Sequence, residues 1–240
     1  TFAMIKCGGG DDGLYEDRKF EQNIQGALAN GIQVGVYFYS GASNAREAYD
    51  EASYCISLIR DYQITYPVAF DWELDGDYDS VTEACETFCN VISSYGYQPM
   101  VYSNRNRWYN NFDGEKIASK YKVWMAAYFG KFYYDSVRWT YGDDLPNFRY
   151  HYDMWQYSSR CYVDGISGQV DVDIAFFGYA NYHVDTKDAV LTVTNKEIKR
   201  TYGEGIGRLT EELNLLDGVK GINTIGYDMD IEYSIYDESG

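Results

Sequence analysis

Residues 1–180 alternate short apolar runs with amphipathic helical patterns, and this alternation restricts the fold more than any other feature of the chain. The apolar runs have the length and composition of buried strands, and they occupy residues 2–8, 33–40, 67–74, 98–104, 122–128, 150–158 and 169–177. Helical spacing of apolar residues marks the segments between the first four runs, and Ser80 with Glu83 forms a capping-box pattern before the third helix. Such alternation predicts an α/β fold with a parallel sheet covered by helices.

The strand count and the connections favour a barrel over an open doubly wound sheet. Seven strands follow one another without a long insertion, and the links between the last ones look irregular rather than helical. We therefore predict an irregular (β/α) TIM-like barrel over residues 1–183, with functional residues at the C-terminal strand ends. Residues 184–240 form a separate small acidic α+β segment of unknown role in this interpretation, with strand patterns at 189–195 and 222–236 and a helical pattern at 208–216.

Composition and motifs exclude several kinds of function. The net charge of −17 argues against nucleic acid as a partner, because phosphate contacts need a basic surface. Neither His151 nor His183 lies beside a nucleophile pattern, which argues against serine or cysteine catalysis. Cys85 and Cys89 are one helical turn apart, but no second pair or nearby histidine completes a metal site, so we interpret them as buried apolar residues. We expect no metal and no cofactor, and no apolar run reaches the length of a membrane span.

The third strand, in the stretch YPVAFDWELDGDYDS, ends with two acidic residues, Asp71 and Glu73. Side chains at positions i and i+2 of a strand point the same way, about 6.6 Å apart, so Trp72 faces the opposite side. Two carboxylates this close resist joint ionisation, and the pKa of one of them should rise. A neutral carboxyl can donate a proton while its partner stays anionic, which is the pairing that glycoside hydrolysis uses.

Two other interpretations of these carboxylates stay open at this point. Asp75, Asp77 and Asp79 follow at once, so the pair could belong to a solvated acidic loop. Carboxylates at alternate positions can also bind calcium, although the loop lacks the full twelve-residue calcium-binding pattern. Aromatic residues favour catalysis on sugars, because their rings stack on the apolar faces of sugar rings. They lie on or near the strand ends: Tyr37, Tyr39, Tyr102, Trp124, Tyr128, Trp155 and Tyr157.

Six segments of residues 1–180 match one known pattern in the same order: FAMIKCGGGDDGLYEDRKFEQNIQGALANGIQVGVYFYS, VAFDWEL, VYSN, VWMAAY, DMWQYSS and VDGISGQVDVDIAFF. Together they resemble glycoside hydrolase family 25, the N-acetylmuramidases (lysozymes) of bacteria and phages. The resemblance implies that Glu73 is the general acid, Asp71 its companion on the same strand and Asp171 the acid on the last strand. Asp173 falls where the family often has Asn, and it receives no role. The resemblance places a sugar groove along Tyr39, Trp124, Tyr128, Trp155 and Gln156, and Tyr37 and Tyr102 join these candidates by their strand-end positions.

The activity that the resemblance implies is hydrolysis of the β-1,4 bond between N-acetylmuramic acid and N-acetylglucosamine in bacterial peptidoglycan. Such an enzyme acts outside the producing cell, on the cell wall, after secretion or lysis. We expect it to be a monomer. The alternative is a sugar-binding barrel without turnover, because the family's first-strand Asp is absent from the chain. Loss of one supporting acid should reduce the rate by orders of magnitude and leave binding largely intact.

The first strand of the family pattern is absent from the chain. That strand has the form G-[IV]-D-V-S and carries an active-site Asp, whereas this chain starts, at Thr1, with what should be the second strand. We expect either that the missing strand lies upstream of Thr1 or that another segment replaces it. The tail offers a candidate in GYDMDIEY, where Asp228 and Asp230 are again two positions apart. A permuted chain could place that strand beside residues 2–8.

Overall fold

The seven apolar runs and one additional short strand form an eight-stranded sheet in the first of two compact units, Thr1–Gly178. The strands are β1 (Phe2–Gly9), β2 (Tyr15–Glu16), β3 (Gln33–Ser40), β4 (Val68–Trp72), β5 (Pro99–Asn104), β6 (Lys122–Ala126), β7 (Met154–Cys161) and β8 (Val170–Ala175). Their order in the sheet is β2-β1-β3-β4-β5-β6-β7-β8. The computed structural model describes residues 1–74, 80–140 and 143–177, together with the backbone of three short strands beyond residue 189.

The centre of the sheet is parallel, as the alternation of strands and helices predicts. Strands β1, β3, β4, β5, β6 and β7 pair in parallel, whereas β2 and β8 are antiparallel to their neighbours. The direction of β8 differs from the predicted parallel arrangement. Residues 162–169 are too few for a parallel crossover, which takes a dozen or more residues. Gly165 and Gly168, both with positive φ, allow the chain to turn back there instead.

Helices cover one face of the sheet. They are α1 (Phe20–Ala29), α2 (Ala45–Ile59), α3 (Val81–Ser94), α4 (Arg105–Asn110), α5 (Gly114–Ala118) and α6 (Gly130–Tyr134). At the start of α2, the Asn44 side chain accepts hydrogen bonds from the backbone N–H groups of Arg46 and Glu47. The predicted capping box of α3 is wrong, because Ser80 has φ −103° and ψ 5° and its side chain makes no capping hydrogen bond. Among the described residues, no helix is long and apolar enough to cross a bilayer.

The core lies between the sheet and these helices. Every residue of β4 is buried, and its even-numbered side chains pack toward the helices. Phe70 contacts Phe88 of α3 at a ring-centroid distance of 5.1 Å, and Trp72 contacts Phe112 at 5.7 Å. Burial of side chains of this size stabilises the fold by about 1.5–3 kcal/mol each. The odd-numbered residues of β4, including Asp71, therefore face the opposite side of the sheet.

The sheet is curled, and its inner face is concave. Strands β3 and β6 are three strand spacings apart, which is about 14 Å in a flat sheet. Tyr37 of β3 and Trp124 of β6 nevertheless contact each other with ring centroids 6.2 Å apart. The described strands thus form a half-barrel, in agreement with the predicted α/β barrel-like fold.

The second compact unit, Tyr179–Gly240, contains a three-stranded antiparallel sheet. Its strands are β9 (Val190–Val193), β10 (Val219–Ile222) and β11 (Asp228–Met229), in the order β11-β10-β9. Strand β11, which contains Asp228, pairs with β10, and the permutation hypothesis stays a hypothesis. Asp230 and the predicted helix at 208–216 lie outside the described residues.

Candidate active site

The C-terminal ends of the parallel strands place four predicted residues in one row on the concave face. Tyr39 pairs with Asp71, Asp71 with Tyr102, and Tyr102 with Trp124. The two tyrosines therefore flank Asp71 from the neighbouring strands. This register follows from parallel pairing of strands that end at a similar level, so side chains distant in sequence converge at one edge.

Asp71 lies deepest of the three predicted acids. It is buried, and its Oδ1 atom has no hydrogen-bond partner among the described residues. Burial raises the pKa of Asp71 well above its ordinary value, and the negative charges of Glu73 and Asp171 raise it further. The positive charge of Lys6 lowers it in part. Burial of Oδ1 without a partner favours the protonated form of this carboxyl, because ionisation without a compensating partner is costly.

Glu73 follows the end of β4 and reaches a cleft of about 550 Å³. Partial burial raises the pKa of Glu73, and the charge of Asp171 adds to this effect. The guanidinium of Arg107 and a hydrogen bond from Asn104 act in the opposite direction. Glu73 is thus a carboxyl with a raised pKa that still opens to solvent, which is the combination a proton donor needs.

Strand β8 brings two further acids to the same face. Asp171 is exposed, and protein packed against its carboxyl raises its pKa by desolvation. Asp173 accepts a hydrogen bond of 2.7 Å from the indole N–H of Trp124. Burial raises the pKa of Asp173 to about 8, although this hydrogen bond opposes the shift. The sequence predicted Asp171 as a site residue and gave no role to Asp173.

The predicted aromatic residues lie around these acids. The rings of Tyr102 and Trp124 are 4.5 Å apart between centroids, and Tyr37 contacts Trp124 from the other side. The hydroxyl groups of Tyr102 and Tyr128 both donate to Oε1 of Gln156, the first at 2.9 Å. Burial raises the pKa of Tyr37, Tyr102 and Tyr128, so all three stay neutral hydrogen-bonding groups.

Trp155 is the exception among the predicted sugar-binding residues. It is fully buried in the core, stacks on Phe129 at 5.4 Å and donates its indole N–H to the carbonyl oxygen of Ala127. Adjacent residues of a strand face opposite sides, so Trp155 and Gln156 cannot both lie on the concave face. Gln156 takes the concave side, and we assign Trp155 to the core. Tyr157 also belongs to the core, where it packs against Phe132.

Several residues of this region carry no distinctive sequence motif. Lys6 is a charged residue inside an apolar strand, and its ammonium lies 4.8 Å from the ring centroid of Tyr39. Asn104 is the last residue of β5, and only this position at the end of a parallel strand could have indicated that it belongs to the site. Arg105 and Asn147 line the cleft from segments that the sequence did not connect with it.

Glu51 of α2 was also missed, because a single Glu on an amphipathic helix is ordinarily solvated. Here it is buried and binds the end of β3. Its carboxylate accepts hydrogen bonds from the Ser40 hydroxyl at 2.5 Å and from the Gly41 N–H at 2.9 Å. Burial raises the pKa of Glu51 to about 7.

The described residues contain no group of three or more His, Cys, Asp or Glu side chains arranged to hold a metal ion. The cysteines are free and buried. Cys85 and Cys89 lie on the buried face of α3, in agreement with their interpretation as core residues.

Comparisons with known proteins point to one family. The sequence model of glycosyl hydrolases family 25 matches residues 1–166. The chain is 26% identical over 164 residues to the autolytic lysozyme of Clostridium acetobutylicum, which covers 66% of this chain and 44% of that protein. It is 29% identical over 137 residues to the lysozyme of Streptococcus phage Cp-1, which covers 53% of this chain and 37% of that protein.

A solved structure shows the same relationship. The modular autolysin LytC of Streptococcus pneumoniae superimposes with a TM-score of 0.56 at 27% identity, over 71% of this chain and 39% of that one. This chain therefore spans less than half the length of each of these three relatives.

Proposed function

The chain belongs to glycosyl hydrolases family 25, and from this premise we propose that it is a peptidoglycan hydrolase that acts on the bacterial cell wall. The bond cleaved is the β-1,4 linkage between N-acetylmuramic acid and N-acetylglucosamine. One observation carries the proposal: Glu73, with a raised pKa, opens into a cleft lined by the aromatic rings of Tyr102, Tyr128 and Phe129. The relatives named lysozymes support the choice of substrate.

Glu73 is the general acid in this proposal. Its proton moves to the glycosidic oxygen while the bond from that oxygen to the sugar C1 breaks, and positive charge develops on the ring. Asp171, the exposed acid, supplies the negative charge that stabilises this cation. Water then adds to C1 and returns a proton to Glu73, so the enzyme is restored.

Asp71 supports Glu73 without touching the substrate. It is buried, and its raised pKa favours the protonated form, which adds no second negative charge beside Glu73. The aromatic groups of Tyr39 and Tyr128 are placed to stack on sugar rings, since each keeps part of its surface accessible. Gln156, held by two tyrosine hydroxyl groups, has its amide N–H group available for a sugar oxygen.

The test is product analysis on purified peptidoglycan. Walls are digested, new reducing ends are reduced with borohydride, and the terminal sugar alcohol is identified. We expect muramitol, and a Glu73→Gln variant should release less than about one hundredth of it. Glu115→Gln, which removes an exposed carboxylate from α5, is the matched control and should keep wild-type activity.

Two results would contradict the proposal. Glucosaminitol in place of muramitol would identify a different bond. Wall binding without new reducing ends, equal in the wild type and in Glu73→Gln, would identify the sugar-binding barrel instead.

A further inference from the structure

The cleft that contains Glu73 carries basic and amide groups on a strongly acidic chain. Its lining includes Asn104, Arg105, Asn106 and Asn147, while the chain as a whole has a net charge of −17. A neutral sugar polymer offers a guanidinium hydroxyl and carbonyl oxygens as acceptors, but it offers no negative charge to pair with. A cation at this position therefore needs an explanation that general acid catalysis does not supply.

Arg105 is available for a ligand. It is exposed at the start of α4, and no carboxylate of the described residues lies within ion-pair distance of it. Its one hydrogen bond among those residues is a long contact of 3.4 Å from Nη1 to the carbonyl oxygen of Asn147. A guanidinium has five N–H donors, so most of them remain unused.

Arg107, two residues later, has a different role. It donates to the carbonyl oxygen of Leu74 and lies 5.6 Å from the ring centroid of Trp72, so it packs against the end of β4. Its charge acts on Glu73. The two arginines therefore have different surroundings: Arg107 packs close to Glu73, and Arg105 faces the open cleft.

We propose that Arg105 binds a carboxylate of the substrate and so makes the cleft selective for muramic-acid-containing glycan over neutral glycan. The inference rests on the proposed function. A guanidinium binds a carboxylate through two parallel hydrogen bonds, which gives both affinity and orientation. The carboxylate has two possible sources in the wall, the lactyl group of muramic acid when it is free and the peptide attached to it.

The amide side chains beside Arg105 fit the same ligand. The Asn104 side chain accepts a hydrogen bond from the Arg107 N–H at 3.2 Å and also binds Glu73, so it connects the acid with the start of α4. Leu145 adds an exposed apolar contact to the cleft. Amide groups pair with the N-acetyl and peptide groups of such a glycan, whereas Arg105 supplies the one positive charge among the described residues that line this cleft.

The experiment compares three substrates made from one glycan preparation. The first keeps its peptides, the second has lost them and carries free lactyl carboxylates, and in the third those carboxylates are converted to neutral methylamides. Arg105→Gln removes the guanidinium, Arg105→Lys keeps the charge without the two-pronged geometry, and Arg18→Gln is the matched control on the exposed surface outside the cleft.

We expect Arg105→Gln to lose about tenfold to a hundredfold in kcat/KM on a carboxylate-bearing substrate, because a charge-assisted hydrogen bond is lost. Arg105→Lys should lose less, and Arg18→Gln should match the wild type. A loss confined to the first substrate identifies the peptide as the source, and a loss on the second identifies the lactyl group. On the methylamide substrate Arg105→Gln should equal the wild type. Equal losses on all three substrates, or none on any, would overturn the inference.

A binding measurement separates this inference from the proposed function. Calorimetry in the Glu73→Gln background compares a muramyl tripeptide, free muramic acid disaccharide and a neutral N-acetylglucosamine oligomer. If the wild type shows no turnover but Arg105→Gln still weakens binding of a carboxylate ligand, the hydrolase proposal fails and the carboxylate subsite stands. If turnover occurs and Arg105→Gln binds every ligand as tightly as its parent, the subsite fails alone.

Discussion

Four carboxyl groups belong to the concave face of the sheet, and their pKa values are all raised, but their surroundings differ. The Oδ1 atom of Asp71 is buried without a hydrogen bond, whereas Asp173 accepts one from Trp124. Glu73 balances burial against Arg107 and Asn104, and Asp171 stays exposed. These differences in burial and pairing give the four carboxyls different proton affinities, which is the condition for one acid to donate a proton while another stays ionised.

Arg107 should set the upper pH limit of activity. Its guanidinium lowers the pKa of Glu73, so Arg107→Gln should raise that pKa. A general acid works only while protonated, and activity falls as pH rises through its pKa. The alkaline limb of the kcat/KM profile should therefore move to higher pH in the variant, whatever its maximum rate. An unchanged or lower limb would show that Glu73 is not the group that titrates there.

Glu51 should make the stability of the protein depend on pH. Its pKa is about 7 in the folded protein, against 4.5 for an ordinary glutamate. The folded state holds the extra proton, so this stabilisation is complete below pH 4.5 and is lost as pH rises through about 7. The difference corresponds to about 3 kcal/mol.

Glu51→Gln removes this titration while it keeps the size of the side chain. Urea unfolding at pH 4.5 and pH 8 should show the variant gaining stability relative to the wild type at the higher pH. A constant difference between the two proteins across this range would mean that Glu51 titrates normally in the folded state.

At the scale of elements, the loops that follow β1 and β3 lie against each other beside the site. The Gly10 N–H donates to the carbonyl oxygen of Tyr39, and Glu51 binds Ser40 and Gly41. A Cβ atom at Gly41 would lie 2.6 Å from the carbonyl oxygen of Gly10, which is backbone and cannot rotate away. Glycine is thus required here by close approach of two chains.

Gly41→Ala should destabilise the protein by about 1–3 kcal/mol, because the loops must separate to admit the methyl group. Gly26→Ala on α1 is the matched control, since a Cβ there meets nothing within 4 Å. The control should stabilise the protein by about 0.5–1 kcal/mol, as alanine favours a helix over glycine. Thermal unfolding of the two variants measures both effects. Similar shifts in the same direction would contradict the contact between the loops.

Helix starts provide a second test at this scale. Asn44 caps α2 through its side chain, whereas Ser80 makes no such bond at α3. Asn44→Ala should cost about 1 kcal/mol of unfolding free energy, and Ser80→Ala should cost a few tenths at most. Chemical denaturation measures the free energy of unfolding of both variants. An equal loss of this free energy in the two would show that Ser80 caps α3 in solution.

At the scale of the whole molecule, the net charge of −17 opposes approach to a cell wall that carries anionic polymers. Added salt screens this repulsion, since the Debye length falls from about 30 Å at 0.01 M to about 10 Å at 0.1 M. Wall lysis should therefore speed up several-fold over this range. Extraction of the anionic polymers should abolish the salt effect, and lysis that slows with salt on untreated walls would contradict this account.

Local sequence patterns predicted much of the sheet and the position of two of the acids. The strand pattern placed the parallel strands, and the D-x-E spacing put Asp71 and Glu73 at a strand end. The reason is local: backbone pairing and alternation of side chains depend on neighbouring residues. The same alternation predicted that Trp72 faces away from the acids, and its burial against Phe112 agrees.

Which face of β7 is concave depends on long-range packing, which places Trp155 in the core and Gln156 on the concave face. The same packing sets the direction of β8, the burial of Asp71 and Glu51, and the partial burial of Asp173. These outcomes arise from groups far apart in the chain, such as Trp124 with Asp173 and Ser40 with Glu51. The desolvation of a carboxyl depends on all the atoms packed around it. Its pKa shift therefore cannot be predicted from neighbouring residues in the sequence.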